Sequence, residues 1–176
     1  GKIPATAVLK AATSQGIRLR LIPDTRLPLV NVDIRIKGGS PWDPADKVGL
    51  SDVTAELLRI GGTEGMTSAQ VDQFLESRGI ELSMYNSGDY FSVSLSCLKG
   101  NLDDALSMLA RLLMKPGLAA DKLDEIKTRS ASGIARRNDE PQGIMMREFD
   151  RIVYGASPYG RVMEYAHLDA ISVADV

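Results

Sequence analysis

Histidine and cysteine are nearly missing from this 176-residue chain, which has one of each, His167 and Cys97. A lone cysteine excludes an internal disulfide, and Cys97 falls on the apolar phase of a strand pattern, where it serves as a small hydrophobe. Compartment is therefore not decided by cysteine. A single histidine excludes any site built on two imidazoles, and His167, in the late segment EYAHLDAI, reads as a surface or packing residue. An excess of charge of one sign is also lacking. The formal net charge of -2 offers no general attraction to phosphate backbones. The basic pair Arg136-Arg137 is followed by Asp139 and Glu140 and reads as a solvated helix end. No apolar run approaches the length that crosses a bilayer, and there is no low-complexity stretch, internal repeat or Gly/Ser linker. Neither nucleic acid nor membrane is an expected partner.

What is present is the balance of a soluble globular protein, with 44% hydrophobic and 25% charged residues. The length suits one domain over residues 1–176. The chain starts at Gly1 with no charged-then-apolar leader, so a signal peptide is expected to have been removed or to lie outside this sequence. It stops at Val176 just after ISVADV opens what reads as another helix, which predicts a fragment of a longer multi-domain chain.

Ile17, Leu19 and Leu21 alternate with Arg18 and Arg20 and predict a strand that Pro23-Asp24 ends. Val30, Val32, Ile34 and Ile36 alternate with Asn31, Asp33, Arg35 and Lys37 and predict a second strand with one buried face. Ser40 and Asp43 lie in the following turn, GGSPWDPADK, and read as turn residues rather than catalysts. Leu50, Val53 and Leu57 recur at helical spacing over 48–63, with Asp52, Ala55 and Glu56 on a neighbouring face. Thr67 and Gln70 form a capping box for a helix carrying Val71, Phe74 and Leu75, which Gly79 ends. Ile80, Leu82 and Met84, the turn Asn86-Ser87-Gly88-Asp89, and then Phe91, Val93, Leu95 and Cys97 predict a hairpin. Leu102, Leu106, Leu109 and Leu113 mark a helix stopped by Pro116-Gly117. A long polar helix from 120 to 137 turns Leu123, Ile126 and Ile134 inward. Pro141 starts another, which carries Ile144, Met145, Phe149 and Ile152, and the pair Met145-Met146 reads as core filling. The fold class is α+β, an antiparallel sheet with helices packed mainly on one face.

Several short signatures recur in a fixed order. They are the turn Ser14-Gln15-Gly16 before a strand, a strand ending in Gly38-Gly39-Ser40, Gly49-Leu50, Gly62-Thr63 and Gly79-Ile80-Glu81-Leu82. Asn138-Asp139-Glu140-Pro141 closes the long helix, and Tyr154-Gly155 precedes Ser157-Pro158-Tyr159-Gly160. Together they resemble the insulinase (pitrilysin) family of zinc peptidases over nearly the whole chain. In that family Gly-Leu leads into an inverted His-x-x-Glu-His zinc helix. Two histidines one turn apart hold the metal, and the glutamate between them takes a proton from the bound water. Aligned on Gly49-Leu50, the histidine positions carry Asp52 and Glu56 and the general-base position carries Ala55. The third-ligand position falls near Gly133-Ile134, and Asp124 and Glu125 stand two turns too early.

The resemblance thus implies a non-catalytic member with a degenerate motif and no cofactor in this chain, zinc being expected only in an active partner or another domain. Asp52 and Glu56 alone suit a weakly held hard cation at best and read as an acidic helix face. Nucleophilic catalysis has no support either, because Cys97 is turned inward and no serine has a His-acid partner in reach. The implied function is that of a silent domain which helps an active insulinase-family domain or subunit, as a dimer, to enclose unfolded peptides. The strand of Glu81, Leu82, Ser83, Met84, Tyr85 and Asn86 resembles the edge against which the family lays its substrates, and a plain polar sheet edge is the alternative. Other readings are an assembly subunit like the core proteins of respiratory complexes, or part of an active peptidase whose zinc site lies in another domain. A misaligned motif in an active enzyme is opposed by the histidine count. Resembling bacterial members that are often exported places the periplasm ahead of the cytoplasm.

Overall fold

Alternation of Phe91, Val93, Leu95 and Cys97 with serines gives one strand an apolar face and a hydroxyl face, and that strand is the middle of the main sheet. The computed structural model describes residues 9–13 and 16–176. In it β1 (Leu9–Ala12) and β2 (Arg18–Leu21) form an antiparallel ribbon, and β3 (Leu29–Lys37), β4 (Glu81–Asn86) and β5 (Tyr90–Leu98) form an antiparallel sheet in the order β3-β5-β4. Five helices follow the predicted order, α1 (Leu50–Ile60), α2 (Ser68–Ser77), α3 (Leu102–Met114), α4 (Ala120–Arg136) and α5 (Pro141–Tyr154), and a short α6 (Tyr165–Ala170) adds to them without having been predicted. None is long and apolar enough to cross a membrane.

The apolar face of the sheet (Leu82, Met84, Val93, Leu95, Cys97) packs on Val71 and Leu75 of α2 and on Ala105, Met108, Leu109 and Leu112 of α3. A second core joins Val53 and Leu57 of α1 to Leu123 and Ile126 of α4, Leu168 of α6, and Ile171. Each of these larger side chains contributes roughly 1.5–3 kcal/mol when fully buried. α2 starts as its sequence requires: the Thr67 hydroxyl accepts from Gln70 N at 3.3 Å while Gln70 Oε1 accepts from Thr67 N at 2.8 Å, a cap that contributes about 1 kcal/mol.

The strand predicted through Leu19 and Leu21 is present as β2, and three other expectations are corrected. Ile17, Leu19 and Leu21 are exposed, because β2 pairs with β1 in the separate ribbon and not with the main sheet. Alternation predicted the strand but not its partner, and Ser14-Gln15 of the preceding turn lie outside the described residues. Ile144, Met145, Phe149 and Ile152 are exposed as well, so Met145-Met146 fill no core, and α5 carries no buried residue among those described. Helical spacing identified its apolar face without identifying a cover for it. Arg137 is not merely solvated: its Nη2 donates to both Glu164 oxygens at 2.8 Å and its Nη1 to Met163 O at 3.0 Å, tying the end of α4 to the start of α6. ISVADV contributes a single 3-10 turn, Val173–Asp175.

Candidate functional site

α1 runs alongside β4 in the opposite direction, with Asp52 near its end at Asn86 and Arg59 near its beginning at Leu82. Both side chains belong to one stripe, because positions 52, 56 and 59 recur at i, i+4 and i+7. The start of the helix is fixed from outside. Gly49 adopts φ 95°, and the buried Asp43 accepts from Gly49 N at 2.8 Å, from Ser51 N at 3.0 Å and from the Ser51 hydroxyl. Asp43 therefore does more than turn the chain. Its carboxylate satisfies N–H groups that the first turn of any helix leaves open. Arg161 holds the same residue by its carbonyl at 2.9 Å.

The three positions aligned with the family's zinc motif have different surroundings. Asp52 keeps an exposed edge and accepts from Asn86 Nδ2 at 3.1 Å, an amide that also donates to Ser40 Oγ at 2.5 Å. Surrounding protein strips water from this carboxylate and raises its pKa; the Asn86 hydrogen bond opposes the rise and the charge of Asp43 adds to it. Ala55 is buried, turned inward rather than sharing an open face with its neighbours. Glu56 is half-buried and forms an ion pair with Arg129, which reaches across from α4. Near the third-ligand position, which the resemblance puts at about Gly133-Ile134, Gly133 is exposed on α4, and a Cβ there would meet nothing within 4 Å. One carboxylate on an amide, one on a guanidinium, an alanine and a glycine make no tetrahedral donor set for zinc. Among the described residues no group of three or more His, Cys, Asp or Glu is placed to hold a metal ion.

His167 lies in α6 and is half-buried; its Nδ1 accepts from Glu164 N at 3.0 Å, a helix-capping role. Cys97 is buried under the sheet, where burial pushes its thiol pKa up and away from reactivity.

β4 lies at a sheet edge, paired with β5 on one side and with no strand on the other among the described residues. Leu82 and Met84 point into the core, while Glu81, Ser83 and Tyr85 are exposed and Asn86 is half-buried. The Asn86 Oδ1 atom is buried without a hydrogen-bond partner. Sequence reasoning identified the strand, and the helix beside it. It missed the Glu56–Arg129 pair and the Asp52–Asn86–Ser40 cluster, because partners 73 and 34 residues apart carry no local signature.

The profile of the insulinase family (peptidase family M16) matches residues 21–166. The non-peptidase homolog YmxG of Helicobacter pylori is 25% identical over 114 residues, which span 65% of this chain and 26% of that relative. The chain thus spans about a quarter of the curated relative's length. Among solved structures, a peptidase M16 inactive domain from Pseudomonas fluorescens superposes with a TM-score of 0.89 at 23% identity, covering 96% of this chain and 41% of that one. A protease from Helicobacter pylori gives 0.82 at 18% identity, over 97% of this chain and 41% of that one. The periplasmic protease PqqL from Escherichia coli also gives 0.82, at 12% identity, over 99% of this chain and 19% of that one. With the profile spanning both α1 and β4, the chain belongs to the insulinase family, peptidase family M16.

Proposed function

We propose that this chain is a catalytically silent insulinase-family domain, which joins an active insulinase-family domain or subunit to enclose unfolded peptides and offers β4 to them as a pairing edge. The observation that carries the reading is the state of the stripe beside β4. Where the family's chemistry requires two imidazoles and a carboxylate base, Asp52 holds Asn86, Ala55 is buried, and Glu56 is neutralised by Arg129. The motif is read as degenerate and the chain as free of zinc, and likeness to a non-peptidase homolog and an inactive domain supports this. The free side of β4 supports peptide contact, since backbone pairing at a sheet edge asks little of the guest's side chains.

Metal analysis and peptide hydrolysis test the first half. The protein alone is expected to contain no stoichiometric zinc and to leave a fluorogenic unfolded peptide intact; either zinc or cleavage overturns it. Retention of that peptide by the protein mixed with its active partner, above retention by the partner alone, tests the second half. Assembly without retention would favour a scaffold.

A further inference from the structure

The edge of β4 is not equally open along its length. Ser87 N donates to Tyr90 O at 2.8 Å, which makes 87 and 90 a hydrogen-bonded pair of the hairpin. Such pairs alternate along an antiparallel ladder, so Tyr85, Ser83 and Glu81 direct their N–H and C=O groups at Ser92, Ser94 and Ser96 of β5. The other side of β5 obeys the same phase, since Lys99 N donates to Pro28 O at 2.8 Å across the β3 register. Leu82, Met84 and Asn86 are therefore the residues whose backbone groups face the free edge.

One of those groups is already taken. Arg59 Nε donates to Leu82 O at 2.8 Å, and its Nη1 donates to Asp72 Oδ1 at 2.9 Å on α2. The arginine thus bridges three elements with only 24% of its side chain exposed, and Asp72 holds the guanidinium in place. A hydrogen bond to a charged donor is stronger than one to a peptide N–H. An incoming strand that paired with Leu82 would have to displace this contact and leave a part-buried guanidinium with less satisfaction. Neither Met84 nor Asn86 has a comparable backbone partner on the open side among the described residues.

We infer that Arg59 closes the Leu82 end of the β4 edge, so that a guest peptide pairs in register with Met84 and Asn86 alone. The inference rests on the reading of β4 as a peptide-binding edge and adds a length limit to it. Arg59 acts as a positioning residue: it sets where a backbone ladder starts and how long it is, whatever side chains the guest carries. The guest contact is then short, two residues of β4 long.

The test is an N-methyl scan of an acetylated, amidated ten-residue Thr/Lys/Val peptide, titrated against the protein by fluorescence anisotropy. Each N-methyl group removes one peptide N–H donor. Wild-type protein is expected to show two sensitive positions two residues apart, opposite Met84 and Asn86, each costing about five-fold in affinity. Arg59→Ala is expected to show a third, two residues further towards the C-terminus of a guest antiparallel to β4, and Arg59→Met, which has no donor, is expected to behave likewise. Three sensitive positions in wild-type protein, or an unchanged pattern in both variants, overturn the inference. The wild-type scan decides alone if the variants do not fold. Binding with no sensitive position, or no binding, overturns the edge reading itself and the length limit with it.

Discussion

Gly39 is the residue whose replacement should do most damage for the fewest atoms. It is buried at φ 137°, and a Cβ there would run into the Gly88 carbonyl oxygen and come within 2.7 Å of Asn86 Oδ1. Two costs follow in Gly39→Ala. The backbone conformation, open only to glycine, costs about 1–3 kcal/mol, and the overlap, which backbone can relieve only by moving the β4–β5 turn, adds about 1–3 kcal/mol. A loss of about 2–6 kcal/mol is a large part of the roughly 5–15 kcal/mol that a domain possesses. Urea unfolding should show the midpoint falling by about 2 M with little change in slope. Gly49→Ala is the internal control. Its Cβ would meet Met163 Cε, the end of a flexible side chain, at φ 95°. The expected loss is about 2 kcal/mol, from backbone strain and a displaced rotamer. Met163→Ala should relieve part of the Gly49→Ala cost and none of the Gly39→Ala cost. A Gly39→Ala protein that loses less than about 1 kcal/mol, or less than Gly49→Ala, refutes the reasoning.

Two of the perturbed carboxylates, Asp52 and Asp175, make opposite pH predictions. Asp52 has a raised pKa in the folded chain, so it favours folding below its unfolded value and loses that contribution as pH rises through the folded one. Asp52→Asn should therefore have a higher urea midpoint than wild type at about pH 7 and lose that advantage towards about pH 4; a lower midpoint at neutral pH refutes this. Asp175 is held down to about 2 by Lys47, with Ser172 assisting, so its contribution is present above the unfolded value and is lost as pH falls towards 2. Lys47→Met should cost stability at about pH 6 and approach wild type by about pH 2, read from thermal midpoints; a constant difference across that range would count against the pair.

Most of the main sheet and helix order was legible because each element buries one face against the same chain. The alternation through Val93, Leu95 and Cys97, the Thr67–Gln70 box and the Pro116-Gly117 stop each act locally, and each stands where expected. Burial was less legible where the pattern names a face but not its cover, as for Phe149 and Ile152 on α5 and for Leu19 and Leu21 on β2. At the candidate site the residue types were readable but their partners were not. Glu56 and Arg129 lie on different helices, and Arg59 reaches a backbone carbonyl that no side-chain pattern encodes.

The position of α1 between the two cores also bears on how the domain unfolds. Val53 and Leu57 belong to the core shared with α4 and α6, while Leu58 packs against the core under the sheet. Detaching α4 would strip one side of α1, and detaching the sheet would strip the other, so neither core can open without weakening the helix that seals the next. Amide protons of α1 should accordingly exchange only with the slowest, whole-domain opening, while those of α5, which no core claims, exchange through local fraying.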